Sequence, residues 1–252
     1  MEHKLAVISF LSILAFTNGF TILSVDNGDT GGTWHTWQSC PLSVDNGETG
    51  GTWHTWQSCP LGSFAVGFGL KYAVLSAFKI EDYQEFPHDN TALNGIRLIC
   101  KNTNGTIVDR NVTSKVGPFG KWVGETVCEK INGVQLYLTS FALQVHRIPN
   151  QTELEALSLS EVLNGNDDLY DNTAVNYVKF KCRDLAGNQP SRDLIKVPRR
   201  GKMGQYGNWS PECPASTAFR VLSTRVDNYE YRNFVDDTAI NDIKFYCDNG
   251  EF

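Results

Sequence analysis

Apolar residues along this chain alternate with polar or small ones in short runs, the period-two pattern of strands, and the runs come round in one order three times. In Ser63–Leu70, Phe64, Val66, Phe68 and Leu70 share one face and small residues the other, which predicts a strand packed closely on both sides. Alternating strands return at Val134–Val145 and around Phe219–Val226. Each is followed by a loop of variable length and then by a polar segment that feeds a second strand. Two of these loops are Ala77–His88 and Pro149–Tyr170. Within the latter, Thr152 and Glu155 resemble a capping box ahead of Leu157 and Leu159, the one place where a short helix is expected.

The polar segments are copies of one another. Asp89-Asn-Thr-Ala-Leu-Asn-Gly-Ile-Arg-Leu-Ile-Cys100 matches Asp171-Asn-Thr-Ala-Val-Asn-Tyr-Val-Lys-Phe-Lys-Cys182 and Asp236-Asp-Thr-Ala-Ile-Asn-Asp-Ile-Lys-Phe-Tyr-Cys247. The leading Asp suits an Asx-turn, and the small Ala permits close packing. In the tails, Ile96, Leu98 and Cys100 share a face, as do Val178, Phe180, Cys182 and Ile243, Phe245, Cys247. Arg97, Lys179 and Lys244 point the other way.

A G-x-W and a further cysteine precede each copy: Gly51-Thr-Trp53 with Cys59, Gly120-Lys-Trp122 with Cys128, and Gly207-Asn-Trp209 with Cys213. The unit therefore reads G-x-W, Cys, strand, variable loop, Asp-turn, strand, Cys, with repeats at about 42–110, 111–190 and 191–252 of a single domain, 42–252. No unit can form a two-layer fold alone. If each supplies one sheet with one apolar face, three sheets closed around a pseudo-threefold axis bury all three faces, an all-β prism. Two cysteines per unit predict Cys59–Cys100, Cys128–Cys182 and Cys213–Cys247, although sequence alone allows other pairings.

The N-terminal side carries a tandem duplication. Leu23–Pro41 is repeated as Leu42–Pro60 with Asp29 replaced by Glu48 as the one change, which also accounts for the seventh cysteine, Cys40. The second copy runs directly into the next strand. The first copy, within 20–41, is expected to have no place in a sheet; docking of the first and looping out of the second is the competing arrangement. Ahead of it, Lys4 and the apolar run Leu5–Phe16 read as a secretory signal peptide over residues 1–19.

A net charge of −6 over 252 residues argues against a general nucleic-acid or anionic-membrane binder, and no later run is long enough to insert in a bilayer. The basic connector Arg183–Met203 reads as solvated chain. Without CxxC pairs or clustered histidines, neither a metal nor a cofactor is expected; His54, His88 and His146 show no partner pattern. Asn166–Asp171 lacks the spacing of a calcium loop. In a secreted chain the sequons at Asn104, Asn111, Asn150 and Asn208 are glycosylation candidates.

The thrice-repeated D-[ND]-T-A-[LVI]-N-x-[IV]-[RK]-[LF]-x-C with G-x-W and Cys before it resembles the vitelline membrane outer layer protein 1 family, over about residues 44–248. The resemblance implies a β-prism of three Greek-key four-stranded sheets and a secreted protein of extracellular coats such as the outer egg envelope. It also implies a structural or glycan-associating role, with transferase-like action on chito-oligosaccharides suggested within the family. The chain departs from the family in its duplication, its long second loop and its six pairable cysteines.

Two functions emerge as expectations. The first is a disulfide-stabilised coat protein that associates with glycans or other coat proteins without turnover, the variable loops and the Asp-turns forming a binding rim. Its candidate binding residues are Asp89, Asn90, Asp171, Asn172, Asp236 and Asp237; Trp53, Trp56, Trp122 and Trp209 are read as core and sheet-edge packing in preference to sugar stacking. The alternative is a chito-oligosaccharide hydrolase or transglycosylase using Asp89, Asp171 and Asp236, helped by Glu85, Asp167 or Asp237. Threefold equivalence opposes it, because acid and nucleophile need unlike environments. No catalytic residue is therefore assigned.

Overall fold

The structure, a computed structural model, describes residues 41–48, 50–72, 93–146, 174–197, 204–227 and 239–250. Residues 39–252 make one compact unit. The expected signal peptide, the first duplicate copy as far as Cys40, the short helix near Thr152 and the acidic loop Asn166–Asp171 lie outside the described residues, as do the variable loops themselves; Pro41, the last residue of the first copy, does pair in a sheet, with Tyr246.

The described chain holds thirteen strands and no helix. They are β1 (Pro41–Leu42), β2 (Thr52–Trp53), β3 (Gln57–Ser58), β4 (Ser63–Tyr72), β5 (Leu93–Asn102), β6 (Ile107–Val112) and β7 (Lys121–Val127). The remaining six are β8 (Tyr137–His146), β9 (Ala174–Arg183), β10 (Arg192–Leu194), β11 (Gln205–Tyr206), β12 (Ala218–Val226) and β13 (Ile240–Asp248). The first sheet has the order β7-β4-β5-β6 and the second β11-β8-β9-β10, all antiparallel. Both are Greek keys, since the fourth strand in sequence returns beside the first. The third sheet pairs β12 with β13, while β1 takes the outer edge of β13 and β2 and β3 share the outer edge of β12. Three four-stranded positions in three sheets make a β-prism.

The sheets are out of phase with the sequence repeat. The segment carrying G-x-W and Cys does not join the strands that follow it, as one sheet per unit would require; it closes the sheet of the preceding unit. Thus β7 pairs with β4, β11 with β8, and β2 and β3, from the second duplicate copy, pair with β12 near the other end of the chain. The cysteine that ends each closing segment then bridges to the next sheet: Cys59–Cys100, Cys128–Cys182 and Cys213–Cys247. These are the pairs expected from the repeat, and each one joins the end of one sheet to the middle of its neighbour.

One irregularity recurs at all three junctions. The register slips at Val66, Thr139 and Arg220, each one residue past the partner of a bridged cysteine. A residue left over in a bulge frees its carbonyl from the ladder. Val66, Thr139 and Arg220 turn that carbonyl to the N–H of Cys128, Cys213 and Cys59, at 2.7, 2.8 and 2.8 Å. The bulge also breaks the alternation expected of Ser63–Leu70. Phe68, Leu70 and Ala65 enter the main core, whereas Phe64 and Val66 pack in a second cluster with Ile99, Tyr137 and Ala218.

The main core lies where the three apolar faces meet. Phe68 comes from the first sheet, Phe141 and Phe180 from the second, Phe219 and Phe245 from the third, and all are fully buried. Phe219 stacks on Phe245 with ring centres 4.6 Å apart, Phe68 meets Phe180 at 4.6 Å, and Phe141 meets Phe245 edge-on at 4.8 Å. Such pairs add about 0.5–1.5 kcal/mol each to the burial of their area.

Candidate functional site

The outward positions of the Asp-turn strands hold the molecule's most organised polar chemistry. Arg97, Lys179 and Lys244 face away from the core because their neighbours Ile96 and Leu98, Val178 and Phe180, Ile243 and Phe245 point into it. An aromatic ring from the closing segment lies over each cation. The Arg97 guanidinium is 4.7 Å from the Trp122 ring centre, Lys244 Nζ is 4.2 Å from that of Trp53, and Lys179 Nζ is 4.3 Å from that of Tyr206. Cation–π contacts of this kind contribute about 0.5–1 kcal/mol where water still reaches them.

Lys179 also lies 4.5 Å from the Trp209 ring centre, but the glycine and the strand pairing make Tyr206 the third equivalent of Trp53 and Trp122. Gly51, Gly120 and Gly204 open the three segments with φ of 72, 78 and 76°, and Thr52, Lys121 and Gln205 pair with Val226, Tyr72 and Val145. The G-x-W read at Gly207–Trp209 sits three residues late. One extra residue between Gly204 and Cys213 hides the true match, which counting from the glycine would have found. Burial holds the Tyr206 hydroxyl well above its usual pKa, with the nearby Tyr177 and Tyr72 adding to the effect.

Nor are the tryptophans in the core. Trp122 and Trp56 are 37% and 42% exposed, and Trp53 and Trp209 are half-buried; Trp53 and Trp122 sit in closing strands at the sheet edges, Trp56 and Trp209 in the segments that continue them. The sheet-edge part of the expectation stands, and the core part does not.

The three outer faces differ around this shared pair. On the first, Arg97 also donates to Asn111 Oδ1 at 3.1 Å and meets Glu125 at 3.4 Å, while Arg110 reaches the same carboxylate at 2.6 Å. On the second, Glu212 gathers Ser191 Oγ, Lys181 and Arg183. Burial raises the Glu212 pKa, but the hydrogen bonds from Ser191 and Lys181 and the charges of Lys181 and Arg183 outweigh it and hold the carboxyl below its usual range. On the third, Tyr246 follows Lys244 on the same face of β13, and Trp56 packs against it with ring centres 4.6 Å apart. Trp53, Lys244, Tyr246 and Trp56 thus form a strip that no salt bridge crosses among the described residues.

Asp242 lies on β13 opposite Arg225. Its carboxylate accepts from Ile243 N at 2.7 Å, and Gly47 covers it so closely that a Cβ there would overlap it. Burial pushes its pKa up to about 6, against the opposing pull of the Ile243 N–H, Lys244 and Arg225. No repeat pattern marks this group, because Gly95 and Tyr177 occupy the matching positions.

Asp89, Asn90, Asp171, Asn172, Asp236 and Asp237 lie outside the described residues, with Glu85, Asp167, His88 and Asn150. The asparagine later in each motif is described: Asn94, Asn176 and Asn241 are bulged out of register and buried. The Asn94 and Asn241 carbonyls accept N–H groups from Gly117 and Glu48, ahead of the closing strands, at 2.6 and 2.9 Å. In the first and third sheets the motif thus ties its hairpin to the segment that closes the sheet. Asn104, Asn111 and Asn208 are exposed. No group of His, Cys, Asp or Glu among the described residues could hold a metal ion.

The family model described as Vitelline membrane outer layer protein I matches residues 42–250. The chain is 32% identical over 228 residues to the vitelline membrane outer layer protein 1 homolog of Mus musculus, covering 90% of this chain and 83% of that one. It is 32% identical over 231 residues to the Homo sapiens homolog, covering 91% and 84%.

Proposed function

The chain belongs to the vitelline membrane outer layer protein I family, and from that premise we propose that it is a secreted structural protein of an extracellular egg coat that associates with glycans without turning them over. A coat component must hold its shape outside the cell, and a disulfide at each sheet junction, with the N-terminal segment closing the last sheet, supports such a role. The glycan reading rests on one observation: the strip Trp53, Lys244, Tyr246 and Trp56 on the third sheet. Trp56 is exposed enough to stack on the apolar face of a sugar, with Tyr246 packed against it and the Lys244 cation nearby for hydroxyl or acidic groups. Asp89, Asp171 and Asp236 enter this reading as turn residues, with the loops before them as a second place for specificity.

The test incubates the purified mature protein with a glycan array and with chitin oligomers, measuring binding and product size together. Retention without any change in oligomer length is the expected result, weakened by about tenfold in Trp56→Ala, the loss of one stacking contact. New oligomer lengths that disappear in Asp89→Asn, Asp171→Asn or Asp236→Asn would overturn the non-enzyme reading. Retention that Trp56→Ala leaves unchanged would remove the strip as the site.

A further inference from the structure

The third sheet is closed by a segment of which the chain carries a second, nearly identical copy. In the structure the occupant is residues 41–59. Leu42 pairs with Phe245, Thr52 and Trp53 with Val226 and Arg225, and Gln57 and Ser58 with Leu222 and Val221. Between the paired residues, Glu48 N donates to Asn241 O, His54 N to Thr224 O and Cys59 N to Arg220 O, at 2.9, 3.0 and 2.8 Å. Ser223 Oγ donates to His54 O at 2.7 Å, and the disulfide to Cys100 finishes the closure. Every one of these groups recurs nineteen residues earlier, in Leu23, Thr33, Trp34, His35, Gln38, Ser39 and Cys40. At the one changed position, Asp29 for Glu48, the contact is made by the backbone N–H, which both residues supply.

We propose that the slot on β12 and β13 has two competent occupants, and that residues 23–41 can replace 42–60 in it with Cys40 taking the place of Cys59 as partner of Cys100. The inference concerns closure of the sheet and does not depend on the proposed function. Apart from Pro41, which pairs with Tyr246 and has Ile22 as its counterpart, the residues in the slot are the same for both copies, so the connection to β4 is what chiefly separates them. With the second copy docked, Pro60–Gly62 join it to β4; with the first, residues 41–62 must be looped out. Loop-closure entropy then favours the second copy roughly 20-fold. Interchange needs no outside oxidant. The Cys40 thiolate attacks Cys100 Sγ, the bond from Cys100 to Cys59 breaks, and Cys59 leaves as the thiolate. Cys59 and Cys100 are buried, so the exchange requires the closing segment to lift from the slot first.

The proposal makes Cys59 dispensable in a way that Cys128 and Cys213 are not, and two variants test it. Cys59→Ser and the double variant Trp34→Pro with Cys59→Ser are folded from the reduced chain in a buffer of reduced and oxidised glutathione. Their disulfides are then mapped without reduction. The single variant is expected to contain Cys40–Cys100. The double variant keeps Cys40 but has a proline where the first copy must pair with Arg225, so it is expected to lose that bridge while Cys128–Cys182 and Cys213–Cys247 persist. Two outcomes overturn the proposal: unpaired Cys40 and Cys100 in Cys59→Ser, whether folded or not, or the same Cys40–Cys100 yield in both variants, which would mark chance pairing of two leftover thiols.

Discussion

Asp242 and Ala239 carry single-residue consequences that nothing in their side-chain type announces. A carboxyl whose pKa rises to about 6 on folding binds protons in the native state that the unfolded chain releases, between its ordinary value near 4 and 6. Its stabilising contribution is therefore complete below about pH 4 and is lost as pH rises through 6. Asp242→Asn removes the cost of the buried charge and keeps the acceptor for Ile243 N. Urea titrations should find this variant more stable than the parent by about 2 kcal/mol at pH 7.5, and no more stable at pH 4. Equal gains at both pH values would assign the effect to packing instead. Ala239 and its counterpart Ala174 hold φ of 54 and 45°, the left-handed region, and are buried there. The motif's alanine is thus small for two reasons, close packing and tolerance of that backbone. Ala239→Val adds a branched Cβ where the backbone least accepts one, and should lower stability by about 2 kcal/mol or more. A thermal midpoint unchanged by that substitution would show the left-handed turn to be dispensable.

At the scale of a strand, the informative feature is what an alternating pattern leaves out. Ser63–Leu70 reads as one apolar and one small face packed on both sides, and both faces are buried, but the bulge at Val66 hands Phe64 and Phe68 to different clusters. The small residues of that strand admit neighbouring backbone. A Cβ on Gly67 would overlap the Thr126 carbonyl oxygen and crowd Val127, so β7 lies directly against β4. Gly67→Ala should push β7 outward at a cost of about 1–3 kcal/mol. Hydrogen exchange can localise it, with protection lost along Lys121–Val127 and kept along Ala174–Arg183; uniform loss across both would point to global destabilisation. The closing strand β11 teaches a related lesson. Trp209 attracts the eye as the third tryptophan, and it too lies against Lys179, at 4.5 Å, but Tyr206 has the strand pairing and the glycine two residues before it.

Over the whole molecule, each disulfide lies within one sequence repeat and between two sheets, because repeat and sheet are one strand out of step. A bridge that merely closed a hairpin would constrain a single sheet, whereas these three constrain the angles at which the sheets meet around the phenylalanine core. Cys128→Ala with Cys182→Ala opens the longest of the three loops, 54 residues apart in sequence, and should cost about 4 kcal/mol on the chain-entropy account. Guanidinium unfolding measures it. A loss under about 1 kcal/mol would mean that the closing strand alone fixes the junction. The third sheet is the special case, since the chain's N-terminal side supplies both of its outer positions and ties the start of the prism to its end.

The sequence by itself determined the class of fold, the number of sheets and the inward residues of β5, β9 and β13, and it pointed to the cysteine pairs that the structure then settled. All of these come from short-range periodicity and from a unit repeated often enough to be compared with itself. Only the tertiary structure decided which segment closes which sheet, where the register slips, and which aromatic meets which cation. Those depend on hydrogen bonds between strands far apart in the chain, as between Thr52 and Val226, and no local pattern records a partner at that distance. The raised pKa of Asp242 has the same origin: it comes from burial, and among the neighbours that crowd the carboxyl is Gly47, far from it in the chain.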